Sequence, residues 1–230
     1  MKNKKTDFKI VPVFKQAKPI WVDFVHIETK VLNYDVDIAG QKHVLSGYAQ
    51  NWRQDKYSFA FAAYYKNQMI GFAKGCLGEQ DETFLDHLYV LPEYRKRGVG
   101  SQLLNAMEQA SCLVAYKMSL YPLSGSMKFY DKHKYTSWHH YMIKDVPNFT
   151  NCVIPVFQWI VRSFHSKFNV DVDNSLIRQN KHQPIFVHLN KYGEVDGVAV
   201  RTKGGENKIW TDVYQNKCRY KLLNALNKVK

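Results

Sequence analysis

No apolar run in the sequence approaches the roughly 18 residues that a membrane-crossing helix needs, so no transmembrane span is expected. The Lys-rich start, Met1 to Phe8, is not followed by an apolar stretch, and no secretory signal is read there. Cysteine is scarce: Cys76, Cys112, Cys152 and Cys218 stand far apart, with no CxxC pair. That spacing points to reduced, mostly buried thiols and a cytoplasmic setting rather than a disulfide framework. The chain has no internal repeat and no low-complexity segment. His139-His140 has no cysteine or carboxylate at ligand spacing, so no metal is expected. Acidic residues are the minority, 20 against 33 Lys and Arg, for a net charge of +13.

What is present is enough to fold. The 230 residues are 45% hydrophobic and 14% aromatic, which excludes a disordered chain. At about 150 residues per domain, the length suggests one domain and a smaller second one. Residues 1–149 carry a net +6 and residues 150–230 a net +7, so the C-terminal part is the more densely basic. A basic field suits a phosphorylated cofactor, a nucleic acid or an acidic surface, and it also serves solubility alone.

Residues 8–14 alternate as a strand, with Pro12 suited to an edge. Residues 20–27 and 43–52 have helical spacing. Ser58 to Tyr65 and Met69 to Cys76 read as a hairpin about Lys66-Asn67-Gln68. Their aromatics, Tyr57, Phe59, Phe61, Tyr64 and Tyr65, read mostly as sheet core. Thr83 to Val90 is a strand, and a helix opens near Gly100 with Leu103, Leu104, Met107 and Ala110 on one face. Leu113 to Tyr121 is expected as a strand, Ser124 to His133 as a short helix and Thr136 to Val146 as one closing strand. These elements describe a mixed α/β domain over residues 1–147. Residues 148–230 form a small basic α+β appendage. There Val153 to Phe164 is expected as a helix with Pro155 in its first turn. Pro184 to Leu189, Val195 to Thr202 and Lys208 to Asp212 are expected as strands. Tyr214 to Val229 is expected as a basic helix with Leu222, Leu223 and Leu226 on its apolar face.

The segment with chemistry in it is Arg95-Lys96-Arg97-Gly98-Val99-Gly100-Ser101. A strand leads into it and a helix leaves it. Successive N–H groups in such a loop form an anion nest, and the helix dipole adds positive potential. The three basic residues can pair with phosphate oxygens, and glycine lets the main chain approach them closely. The missing Gly-Lys-Ser/Thr excludes a P-loop, and the missing third glycine excludes a dinucleotide fingerprint. On spacing alone, a glycine turn beside a solvated basic cluster is the competing interpretation.

The run Leu88-Tyr89-Val90-Leu91-Pro92-Glu93-Tyr94-Arg95-Lys96-Arg97-Gly98-Val99-Gly100-Ser101-Gln102-Leu103-Leu104 resembles the acetyl-CoA-binding motif of the GNAT superfamily of N-acyltransferases. That motif is Arg/Gln-x-x-Gly-x-Gly/Ala after a strand ending Leu-x-Val-x-Pro. The likeness covers residues 8–146. It implies a mostly antiparallel sheet with splayed central strands, flanked by helices. It also implies that the backbone of Leu88, Tyr89 and Val90 binds the pantetheine arm of acetyl-CoA. Arg95, Lys96, Arg97, Gly98, Val99, Gly100 and Ser101 would hold the pyrophosphate. Acetyl transfer would then be direct, in a ternary complex, with Tyr130 matching the family's general acid at the CoA sulfur. Two positions depart from the pattern: Leu123 stands where the family often has Asn, and Lys134 where it often has Gly.

The chemistry also needs a base for the incoming amine. Asp86 is the candidate, with His87 on the other face of an unbroken strand. Tyr130 as a core aromatic, and Asp86 as an ion-pairing residue, are the bland alternatives. The acceptor is expected to be a small-molecule or peptide amine. Two other readings stay open: an aminoacyl-tRNA-like amine gripped by the basic C-terminal part, and a non-catalytic acetyl-CoA sensor. A homodimer is likewise open.

Overall fold

Short strands rich in aromatic and small residues, separated by tight turns, pair into the first sheet. The computed structural model describes residues 8–13, 57–78, 81–123, 125–164, 166, 168–180, 183, 185–211 and 216–228. The helices expected over residues 20–27 and 43–52 lie outside the described residues. Contacts divide the chain into two compact units. One holds Met1–Glu79, Thr83–Met107 and Ser119–Lys144, and the other Gln80–Glu82, Glu108–Met118 and Asp145–Lys230. Among the described residues no helix is long and apolar enough to cross a membrane.

The larger sheet has seven strands: β1 (Lys9–Pro12), β2 (Ser58–Tyr65), β3 (Gln68–Leu77), β4 (Glu82–Val90), β5 (Lys117–Leu120), β6 (Thr136–Trp138) and β7 (Tyr141–Asp145). Their order is β1-β2-β3-β4-β5-β7-β6. Pro12 sits in the outermost strand, where a missing N–H is tolerated. Lys66 and Asn67, at φ 48° and 64°, make the two-residue turn between β2 and β3. Helix α1 (Val99–Ser111) connects β4 to β5. Tyr116, just before β5, donates its N–H to the carbonyl of Asp81, just before β4, at 2.9 Å. The two strands therefore start side by side and run parallel, as a helical crossover requires. β4 is nine residues long and β5 only four, so the second half of β4 runs past the end of its neighbour.

β3 is small where α1 lies on it. A Cβ on Gly71 would come within 2.6 Å of the Tyr89 carbonyl and 3.3 Å of Leu103 Cδ1. Leu103, Leu104, Met107 and Ala110 are fully buried. The strand expected from Leu113 shortens to β5, because Val114 and Ala115 both donate to the Ser111 carbonyl and finish α1. The strand expected over Thr136 to Val146 is instead the hairpin β6–β7. His139, at φ 54°, turns the chain, and Trp138 pairs with Tyr141.

Helix α2 (Met127–Lys132) ends on Lys134 at φ 67°. Tyr135 N–H returns to the Tyr130 carbonyl (3.1 Å) and Lys134 N–H to the Asp131 carbonyl (2.9 Å). This is the hydrogen-bond pattern that usually ends on glycine. Lys134 adopts this left-handed conformation at a conformational cost.

In the second unit β8 (Cys152–Val156), β9 (Ile185–Leu189), β10 (Val195–Arg201) and β11 (Asn207–Thr211) form an antiparallel sheet in the order β11-β10-β9-β8. The helix expected over Val153 to Phe164 is split. Its first part is β8, an outermost strand that accommodates Pro155, and α3 (Gln158–Phe164) follows. Helix α4 (Asn174–Gln179) is capped by Asp173, whose Oδ1 accepts from the N–H groups of Ser175 and Leu176 at 2.9 and 3.0 Å. One sheet face gathers Ile154, Val187, Leu189 and Val198 with Val161 of α3 and Ile177 of α4. The other receives α5 (Asn216–Lys228) through Cys218, Leu222 and Leu226, which pack on Phe186 and Ala199. The i, i+4 row through Cys218 is thus the buried face, and Leu223, expected on it, is 36% exposed.

Replacing Lys134 with glycine should stabilise the protein by about 0.5–1 kcal/mol. That is the left-handed penalty of about 1–2 kcal/mol less the extra unfolded-chain entropy of glycine. Urea denaturation measures it, and a destabilised Lys134→Gly variant would contradict the assigned turn.

Candidate functional site

The chain leaves β4 at Val90, makes one 3-10 turn over Pro92–Tyr94, and enters α1 through Arg95 to Gly98. Lys96 (φ 59°) and Gly98 (φ 86°) are both left-handed. Gln102 N–H donates to the Gly98 carbonyl at 3.0 Å, so Gly98 is the last residue before the helix. Among the described residues, a Cβ built on Gly98 meets nothing within 4 Å. Among these residues it is therefore backbone conformation that selects glycine there, not crowding. The amides of Val99, Gly100 and Ser101 lie in the first turn, where helical N–H groups have no intrahelical acceptor. No acidic residue occupies that turn.

The three basic residues are not equivalent. Arg95 Nε donates to the Val90 carbonyl at 2.9 Å, and its guanidinium lies 5.6 Å from the Tyr89 ring centroid. Arg97 lies 5.4 Å from the Tyr94 ring. The Arg95 contacts tie the loop to the end of β4, and the Arg97 contact holds it to the 3-10 turn. All three side chains are exposed.

Helix α2 is fastened to the start of α1. Phe129 ring carbons stand 3.5 Å from where a Gly100 Cβ would be, and His133 Nε2 lies 2.9 Å from Ser101 Oγ. Phe129 and His133 also contact each other, 4.8 Å between rings. Their i, i+4 spacing is the signal of this seam in the sequence, and by itself it does not single out either residue. Tyr130 is buried between Phe129 and Tyr135, with ring centroids at 5.1 and 5.7 Å. Burial pushes its hydroxyl up to about 12, so it stays protonated and can donate. Leu123, at the family's Asn position, is 80% exposed. The Ser126 hydroxyl donates to the Leu123 carbonyl at 2.7 Å. Ser124 lies outside the described residues.

In β4 the register to β3 slips: Lys74 pairs with His87, but Gly75 pairs with Leu85. Asp86 is the extra residue of a β-bulge, and it is exposed. The bulge interrupts the alternation assumed for an unbroken strand. Leu85 faces α1 before it. After it, Leu88 and Val90 face α1, while His87 and Tyr89 turn to the side of Phe72 (6.5 and 6.1 Å between rings). Leu88, Tyr89 and Val90 are half-buried, in the stretch of β4 that outruns β5. Burial, and then the charge of Lys74, lower the pKa of His87. The structure thus brings Leu88 to Val90, the Arg95–Ser101 loop and the Tyr130 helix around one helix N-terminus, with Asp86 on the bulge preceding them.

Residues 22–135 match the model of the acetyltransferase (GNAT) family. Through this domain the chain belongs to the GNAT acetyltransferases. No curated protein matches the sequence. Among solved structures, an acetyltransferase of the GNAT family from Staphylococcus aureus Mu50 is 13% identical, with a TM-score of 0.47, over 61% of this chain and 100% of that one. The PaiA N-acetyltransferase from Thermoplasma acidophilum, solved with coenzyme A, is 14% identical, with a TM-score of 0.46, over 60% and 99%. An aminoglycoside acetyltransferase from an uncultured soil metagenomic sample, solved with sisomicin, is 15% identical, with a TM-score of 0.45, over 55% and 85%.

His87 should titrate below the ordinary histidine value of 6.5, and Lys74→Met should raise its midpoint. Because the folded value is the lower one, this group's contribution to stability is complete above 6.5 and declines as pH falls through and below it. NMR titration of the ring reads the midpoint directly, and a value at or above 6.5 would refute the assigned environment.

Proposed function

We propose that this chain transfers the acetyl group of acetyl-CoA directly to a primary amine within a ternary complex. The observation that carries the reading is the Gly98 turn, which sets the first amides of α1 beside the half of β4 that runs past β5. The fit to a pyrophosphate is good: exposed Arg95, Lys96 and Arg97, no acidic side chain in the first helical turn, and, among the described residues, no side chain over Gly98. Bound acetyl-CoA supplies an activated thioester.

The protein's part divides by position. Lys96, Arg97 and the amides of Val99, Gly100 and Ser101 hold the diphosphate, while Arg95 keeps the loop against β4. The backbone of Leu88, Tyr89 and Val90 offers an edge along which an extended arm can lie as an added strand, and an N–H there stabilises negative charge on the acyl oxygen. Asp86 faces the amine. A carboxylate is roughly six pKa units less basic than an alkylamine, so full proton transfer to it alone is strongly uphill. Asp86 therefore works by holding and orienting the ammonium form; the nitrogen loses one proton to the buffered solvent before it attacks and its second as the carbon–sulfur bond breaks. Tyr130 donates a hydrogen bond to the departing sulfur. Its raised pKa makes it a poor acid but a permanent donor, so it stabilises the thiolate more than it protonates it.

Gly98→Val should abolish acetyl-CoA binding in titration calorimetry. Tyr130→Phe should keep that affinity and lower kcat, against a panel of primary amines, by about 10–100-fold. An unchanged kcat removes Tyr130 from the chemistry, and undiminished affinity in Gly98→Val removes the loop from the cofactor site.

A further inference from the structure

The second unit contains a polar pocket that acetyl transfer leaves unused. The register between β9 and β10 slips between Val195 and Gly197, so Asp196 is the extra residue of a second bulge. It meets His188 of β9 and Cys218 of α5, and the three side chains belong to residues only 3%, 5% and 1% exposed. His188 Nδ1 lies 2.6 Å from Asp196 Oδ1. Lys221 Nζ donates to His188 Nε2 and to the Asn151 carbonyl, both at 3.1 Å. With Nε2 accepting from an ammonium, the ring is neutral and its single proton is on Nδ1, donated to Asp196. The other carboxylate oxygen, Asp196 Oδ2, is buried without a hydrogen-bond partner among the described residues. Native proteins rarely leave such an acceptor unmet, so it marks a place for a donor.

Asp196 lines a cavity of about 550 Å³ at the first turns of α5, within the size range of small-molecule sites. Lys191, Lys217 and Lys221 line it as well. Three ammonium groups against one carboxylate leave its walls at +2. The α5 N-terminus adds positive potential, with no acidic residue in its first turn.

We propose that this cavity is a second ligand site, for a phosphate monoester that also carries a hydroxyl or amino donor. The phosphate, at about −1.5 to −2 near pH 7, matches the +2 walls and pairs with Lys217 and Lys221. The donor group satisfies Asp196 Oδ2. An amino-acid zwitterion would also satisfy Asp196 but would leave both positive charges uncompensated. A metal fits less well, although the ligand atoms of His188, Asp196 and Cys218 lie within 4.8 Å of one another. His188 has its proton on the nitrogen facing Asp196, and burial and Asp196 push the Cys218 thiol up to about 12. The basic walls also repel a cation.

The test is titration calorimetry of the full chain with ribose 5-phosphate, inorganic phosphate and a 5′-phosphorylated oligonucleotide. Ribose 5-phosphate should bind saturably and more tightly than inorganic phosphate, which lacks the sugar hydroxyls. Lys217→Glu, at an exposed position, should fold normally and weaken binding by about tenfold or more. Asp196→Asn should erase the preference over inorganic phosphate. If the oligonucleotide binds more tightly still and loses that binding in Lys217→Glu, the proposal holds and the phosphate belongs to a nucleic-acid end. No saturation by any probe up to about 10 mM, a range far weaker than metabolite sites show, would overturn it. So would ribose 5-phosphate binding undiminished by Lys217→Glu, or tighter binding of glycine or Zn²⁺ to the same cavity.

Discussion

The passage of the chain from β4 into α1 governs the candidate site. β4 lies in the middle of the sheet, yet β5 ends after four residues and leaves its second half without that neighbour. The chain must then reverse into a helix that packs back on β3, which it does through left-handed conformations at Lys96 and Gly98. Arg95 locks the turn by bonding the last β4 carbonyl. A sheet edge, a helix N-terminus and a basic loop therefore converge without any of them being built separately. Phe129 and His133 then fix α2, and with it Tyr130, against the first turn of α1.

Both units use a bulge to place an aspartate. In β4 the extra residue is Asp86, left exposed before the stretch that runs past β5. In β10 it is Asp196, turned under α5 against a histidine. An inserted residue changes which side chains face inward downstream of it, so a strand can present a carboxylate and still bury its apolar residues. The two results differ in polarity of purpose. The exposed carboxylate can meet a cationic amine, whereas the buried one is linked through His188 to Lys221 and keeps one oxygen for a donor.

Much of this was legible in the sequence. The glycine loop and its helix, the β2–β3 hairpin, the three C-terminal strands and the last helix follow from periodicity and turn residues. A glycine such as Gly98, directly after three basic residues and directly before a helical pattern, is a local signal that needs no pairing partner to be read. The rest depends on pairing partners that a single strand does not reveal. The bulges at Asp86 and Asp196 are register events between two strands, invisible in either one alone. The break at His139 lacks glycine, asparagine or proline, so no turn signal announces it. Pro155 fits a helix start and an outermost strand equally well, and only the sheet order decides. The Ser101–His133 contact joins residues 32 positions apart, and the short α4 is announced only by its Asp173 cap.

The most direct measurement is the backbone amide NMR spectrum of the full-length protein with and without acetyl-CoA. The account predicts downfield shifts and slowed hydrogen exchange at Val99, Gly100 and Ser101, with smaller changes along Leu88 to Val90. Unmoved first-turn amides in a protein that binds acetyl-CoA would contradict it, since the diphosphate would then be held elsewhere.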